Sequence, residues 1–270
     1  IAKHMNRQIG ASIDYFSMIA IRNAMRVVEP AEYIDTYAVG GVDLAETTDL
    51  CNATAQVLTG EKFIYLQAYF IAEDRLARNS ERDKQDYRRM TNLATGDRIT
   101  SEVVVVTPGS YVRKEYVTAW FTLLRDEYKI SFLKIGYDRA LSKEWLTDMQ
   151  EHGFSHEKVH RDGETGSVTR DLGVLTEVAQ GGWTLSEPIK VTKSLFESGK
   201  IVADVRNKLF AYCFYNLKIR QDVNNNLSPH KAKSTGHIDG AVGVFNAFVA
   251  YQRAKEMPLY ANRIGHLFRI

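Results

Sequence analysis

The sequence predicts an α/β domain built on a mixed β-sheet flanked by helices, and three observations carry that reading. Residues 33–70 hold the strand-like runs "YIDTYAVGGVDL", "NATAQVLT" and "KFIYLQAYF", the last two joined by a "GE" turn, which together form an antiparallel meander. Apolar strand patterns then alternate with helical ones, the signature of a sheet covered by helices. The chain closes with "HIDGAVGVFNAFVAYQRA", a helix of small and apolar residues.

Taken in order, residues 1–30 read as a helix, with Ile9, Ile13, Phe16 and Ala20 near a 3.6-residue period and Pro30 as its stop. After the meander, 73–95 is a charged stretch, helical or irregular. "ITSEVVVVTPGS" is apolar and β-branched until Pro108 and Gly109 break it. "YVRKEYVTAWFTLLRDEY" is an amphipathic helix, and "KISFLKIGYD" is a continuous apolar strand running into Asp138. "SKEWLTDMQEHG" is a helix stopped by Gly153, and "EKVHRDG" a short strand. Helices are predicted over 168–179, 187–197 and 206–217, with a short "KIVAD" between the last two and "NLKIRQDV" as an edge strand. "NNNLSPHKAKSTG" is a polar loop. No linker divides 31–256, so the organisation is a helical adjunct, 1–30, followed by one domain, 31–270.

The 270 residues are 44% hydrophobic and 25% charged, an ordinary soluble composition. No apolar run approaches the roughly 18 residues that span a bilayer, so no membrane partner is expected. Cys51 and Cys213 make neither a disulfide framework nor a zinc site, which favours a reduced, intracellular protein. A net charge of +2 is too small to attract a polyanion by its overall field, so any such contact rests on local clusters: "DYRRM", "RKEY" and "SPHKAKSTGH". A phosphate loop, a GxSxG elbow and an HExxH pair are all absent. The first residue, Ile1, is not methionine, and a fragment of a longer polypeptide or a processed chain is expected.

Acidic residues stand where strands end. Asp43 closes the first strand of the meander, with Glu46 and Asp49 just beyond it; Asp138 closes a later strand; Asp239 opens the last helix. Loops at strand ends converge on one edge of an open α/β sheet. Three carboxylates meeting there would repel one another unless a cation sat among them, and oxygen-only donors suit hard ions such as magnesium or manganese. Two such ions can hold the attacking water and the leaving oxygen of a phosphodiester. The structural alternatives are a turn residue at Asp43 and helix N-caps at Asp138 and Asp239, and capping leaves the second carboxylate oxygen available.

Read in succession, "GGVDLAETTDL", "KIGYDRA", "GGWTLSEPIKVTKSLFESGKI" and "NKLFAYCFYNLKIRQDVNNNLSPHKAKSTGHIDGAVGVFNAF" resemble the nuclease domain of the large terminase subunit of tailed bacteriophages, over about residues 31–256. The resemblance implies a ribonuclease-H-like fold and a metal-dependent endonuclease that cuts double-stranded DNA during genome packaging. It implies Asp43, Asp138 and Asp239 as catalytic metal ligands for Mg2+ or Mn2+, two ions being expected, with Glu46 and Asp49 as outer groups. Lys231 and Lys233, and more weakly Arg220 and His237, would hold DNA phosphates. It further implies an ATPase half preceding Ile1, with 1–30 as the helical linker to it. The small terminase subunit and the portal protein would be partners, at the procapsid in the host bacterial cytoplasm. A transposase-type or resolvase-type nuclease of the same fold, and a non-catalytic DNA clamp whose acids are only caps, stay open as alternatives.

Overall fold

The computed structural model describes residues 13–44, 50–91, 104–140, 142–170, 173–234 and 236–257. Two short strands and a helix come first: β1 (Ile13–Asp14), α1 (Met18–Ala24) and β2 (Met25–Arg26). The meander follows as β3 (Tyr37–Asp43), β4 (Cys51–Leu58) and β5 (Phe63–Ala72), paired antiparallel with Asp43 opposite Asn52 and Asn52 opposite Tyr69. Then come α2 (Leu76–Asp83), β6 (Val104–Thr107), α3 (Glu115–Asp126), β7 (Ser131–Tyr137) and α4 (Lys143–Glu151). The remainder is β8 (Val159–Arg161), β9 (Val168–Arg170), β10 (Leu175–Glu177), α5 (Gly182–Glu197), β11 (Ile201–Asp204), α6 (Lys208–Asn216), β12 (Lys218–Gln221), β13 (Leu227–Pro229) and α7 (Asp239–Lys255).

The central mixed sheet runs β10-β7-β3-β4-β5-β11-β2, with β6 beside the C-terminal half of β5. β10, β7 and β3 are parallel neighbours. β4 reverses direction and β5 reverses it again. The C-terminal ends of β3, β5, β7 and β10 therefore share one edge. Two apolar cores sit on opposite faces of the sheet. One is built around Phe121, Trp120, Trp145 and Met149 of α3 and α4. The other is built around Phe196, Phe210, Phe214 and Phe245 of α5, α6 and α7.

The sheet carries a chemical asymmetry that fixes where α7 lies. In β4 the polar residues Asn52, Thr54 and Gln56 alternate with Cys51, Ala53, Ala55 and Val57, a pattern that ordinarily leaves the polar set in water. Every residue of β4 is nevertheless buried, because α7 covers the polar face. Buried polar groups generally find partners, and most on this face do, Gln56 Nε2 being the exception there among the described residues. Gln67 donates to Thr54 Oγ1 and to the Gly240 carbonyl, each at 2.8 Å. Thr54 donates to Asn52 at 2.7 Å, and Tyr69 donates to Gln67 at 2.7 Å. Asn246 donates to the Val42 carbonyl at 2.8 Å. The helix reaches these partners only because it comes very close. A side chain at Gly41 would strike the backbone of Gly243 and Ala247, and one at Gly243 would strike Asn52.

Three expectations need correction. The segment after residue 12 is not a single helix: Ser17 caps an α1 of seven residues. β1 pairs with β12, β2 extends the central sheet beside β11, and Phe16 and Ile21 are buried. Residues 13–30 thus pack against the sheet and helices that follow, and 1–12 lie outside the described residues. The helix expected over 168–179 is instead β9 and β10, because β10 finds a parallel partner in β7 (Leu175 opposite Ile135) and tertiary pairing overrides local pattern. Finally, the polar loop at 224–236 contributes β13, hydrogen-bonded to β12.

Gly41→Ala should force α7 off the sheet and cost about 1–3 kcal/mol, the range for an overpacked core. Gly163→Ala, where an added methyl meets open space, should stay within about 0.5 kcal/mol of the parent. Urea unfolding of both variants checks the contrast.

Candidate functional site

Asp43 and Asp138 stand side by side. β3 and β7 are parallel and in register, Val42 opposite Tyr137, so the next residue of each chain is an aspartate at the sheet's C-terminal edge. Adjacent strands are about 4.8 Å apart, which brings the two carboxylates into mutual repulsion. The period-two alternation of a strand sends them to one face: Val42 and Tyr137 belong to the core under α3 and α4, so Asp43 and Asp138 face α7. Asp43 is buried and Asp138 half-buried. Asp138 Oδ1 also accepts from the Ala140 N–H at 3.1 Å, which turns the chain away from the strand.

Asp239 enters from the side. Gly240 lies against Tyr69 of β5, and Gly243 against Asn52 of β4 and Gly41 of β3. Further along, Asn246 accepts from Gln180 at 2.9 Å, and Arg253 donates to the Glu177 carbonyl at the end of β10. α7 thus crosses the sheet from β5 to β10 with its first residue, Asp239, over β5. Asp43, Asn52 and Tyr69 form one cross-strand row, so Asp239 starts about two strand spacings, roughly 10 Å, from the strand that carries Asp43. Among the described residues, no three carboxylate, imidazole or thiol groups converge closely enough to hold an ion. Asp43 and Asp138 converge as a pair, and Asp239 shares their face and edge. Its negative charge is favoured at the positive end of α7. Glu46 and Asp49 lie outside the described residues.

Asp239 is instead engaged by His237, whose Nδ1 lies 3.0 Å from Asp239 Oδ2 and whose Nε2 lies 2.9 Å from Asp83 Oδ2. His237, expected as a weak phosphate contact, is buried. Burial opposes its protonation, but the hydrogen bonds and charges of Asp239 and Asp83 outweigh that and push its pKa up to about 9. Burial likewise favours a neutral Asp83, but hydrogen bonds from His237 and Arg82 and the charge of His237 hold its carboxyl well below the usual range. Asp83 also accepts from Tyr87 OH at 2.9 Å. The sequence hid Asp83 inside a stretch read only as charged. An aspartate at the end of a short helix carries no local mark of a partner 154 residues away.

Lys231 and Lys233 are exposed on a short helical turn between β13 and α7, and Arg220 is exposed on β12. No helix among the described residues is long and apolar enough to cross a membrane.

Comparison with known proteins adds the following. Residues 165–256 match the family model described as terminase large subunit, endonuclease domain. No curated protein matches the chain. Among solved structures, the chain is similar to the large terminase of bacteriophage HK97, with a TM-score of 0.70 at 16% identity, covering 89% of this chain and 44% of that one. It is similar to the large terminase nuclease of thermophilic phage G20c, with a TM-score of 0.51 at 12% identity, covering 87% of this chain and 97% of that one. It is also similar to the large terminase of another thermophilic bacteriophage, with a TM-score of 0.50 at 10% identity, covering 89% of this chain and 45% of that one. The chain therefore spans less than half the length of those two large terminases, and about all of the G20c nuclease. The shared architecture is the ribonuclease-H-like one: a mixed sheet flanked by helices.

The depressed Asp83 carboxyl yields a pH prediction. A carboxylate with a lowered folded pKa adds stability above its unfolded value near 3.9 and loses it as pH falls through the folded value. Between about pH 5 and pH 2, metal-free parent protein should lose more stability than Asp83→Asn. Urea midpoints across that window measure the difference, and equal slopes would remove Asp83 from the account.

Proposed function

We propose that this chain is a member of the terminase large-subunit endonuclease family, whose model matches residues 165–256, and that it is a divalent-metal-dependent endonuclease that cuts double-stranded DNA during phage genome packaging. The observation that carries the reading is the pairing of Asp43 with Asp138 at the ends of adjacent parallel strands, on the face where α7 begins with Asp239. Two carboxylates so close are costly unless a cation shares them. Their oxygen-only chemistry fits Mg2+ or Mn2+ rather than a softer metal, and two ions suit three carboxylates. Ions held there would supply an activated water and neutralise charge on the scissile phosphate.

The protein's own groups do the rest. Asp43, the more buried of the pair, is the principal ligand, Asp138 its partner across the strand pair, and Asp239 the third ligand, with Glu46 and Asp49 as outer groups. Lys231, Lys233 and Arg220 hold the DNA backbone, contacts that position a duplex without reading its sequence. The ATPase half of the same polypeptide, the small terminase subunit and the portal protein are the proposed partners, at the procapsid in the host cytoplasm.

Supercoiled plasmid should be nicked or linearised with little sequence preference, and only when magnesium or manganese is present. Asp43→Asn or Asp138→Asn should abolish cutting while the circular-dichroism spectrum stays parental. Cleavage in chelator, or full activity in both variants, would refute the mechanism.

Replacing Lys231 and Lys233 together with glutamine should remove up to two phosphate contacts. The slope of log affinity against log salt should then flatten by roughly 0.9 per contact. An unchanged slope would assign both lysines to solvent.

A further inference from the structure

The acidic edge has a buried support that the three carboxylates do not explain. Asp83 is the last residue of α2, its side chain only 5% exposed. Four hydrogen bonds fix it. Arg82 donates through Nε to Oδ1 at 2.8 Å and through Nη2 to Oδ2 at 3.1 Å. Tyr87 OH lies 2.9 Å away, and His237 Nε2 lies at the same distance. His237, its side chain 4% exposed, is thereby held from one side and turns its Nδ1 to Asp239 Oδ2. A ring gripped at both nitrogens cannot rotate about χ2 without breaking a buried hydrogen bond, which is costly. The orientation of the Asp239 carboxylate is thus set by groups on α2 and the turn that follows it, across 154 residues of sequence.

We propose that Asp83 and His237 are positioning residues that fix the rotamer of Asp239 through its Oδ2 and leave its second oxygen, Oδ1, available to a divalent ion at the acidic edge. The inference rests on the nuclease reading above. An unsupported carboxylate would have to give up rotamer freedom on each binding event, whereas a preoriented one has already done so on folding. Removing groups that hold a metal ligand in place typically lowers metal affinity by roughly 10- to 100-fold.

The test uses the whole chain in four forms: parent, His237→Ala, His237→Gln and Asp83→Asn, with Asp43→Asn as a reference. Two quantities are measured. Manganese affinity is read by calorimetric titration without DNA, and kcat and KM for plasmid cutting are read separately. We expect His237→Ala to lose roughly 10- to 100-fold in manganese affinity, with kcat falling and KM for DNA unchanged. His237→Gln, which keeps one donor toward Asp239, should recover part of both. Asp83→Asn, one residue further back in the relay, should show a smaller loss of the same kind. If His237→Ala fails to fold, Asp83→Asn decides alone. Parental affinity and kcat in the folded variants, alongside a loss in Asp43→Asn, would overturn the positioning role and leave the nuclease reading intact. A parent that neither binds manganese nor cuts DNA would overturn both.

Discussion

The close approach of α7 to the sheet is the constraint on which the rest of the structure depends. A helix normally rides on a sheet at a distance set by the side chains between them. Here Gly41 and Gly243 remove those side chains, and the helix backbone meets the strand backbone. That proximity lets Gln67 reach the Gly240 carbonyl and Asn246 reach the Val42 carbonyl. The polar face of β4 and β5 then becomes a row of directional contacts rather than a greasy slide. Apolar packing tolerates small translations, whereas a hydrogen-bonded row does not. The helix that carries Asp239 is therefore registered against the strand that carries Asp43.

A second consequence concerns charge. The edge gathers Asp43, Asp138 and Asp239. His237 and, behind it, Arg82 balance Asp239 and Asp83 on the β5 side. On the β7 side, Lys134 is buried and committed to other partners, donating to Glu157 at 2.7 Å and to the Gly173 carbonyl at 2.6 Å. Where Asp43 and Asp138 meet, two carboxylates share the ends of one strand pair, and a divalent ion would contribute most there.

Much of this was legible in the sequence. The strands over 37–43, 51–58, 63–72 and 131–137 carry β-branched and apolar runs bounded by turn residues, and such local signals are what a sequence displays directly. Asp43 and Asp138 were visible as acids at strand ends. Other features were hidden for a shared reason. β9 and β10 are each three residues long and owe their form to partners distant in sequence. The alternation of Asn52, Thr54 and Gln56 signalled a solvated face, and only the glycines of α7, read together with that alternation, hint that a helix covers it. The tie between Asp83 and His237 and the buried pair of Lys134 and Glu157 are long-range contacts between residues that read as surface charges.

The central claim is that Asp43, Asp138 and Asp239 together hold divalent metal. Crystals of the protein soaked with manganese, with data collected at the manganese absorption edge, test it most directly. The account predicts an anomalous peak between the carboxylates of Asp43 and Asp138, with carboxylate oxygens about 2.1 Å away in near-octahedral geometry, and Asp239 Oδ1 turned toward the metal. Manganese found only elsewhere, with Asp43 and Asp138 uncoordinated at millimolar metal, would contradict it.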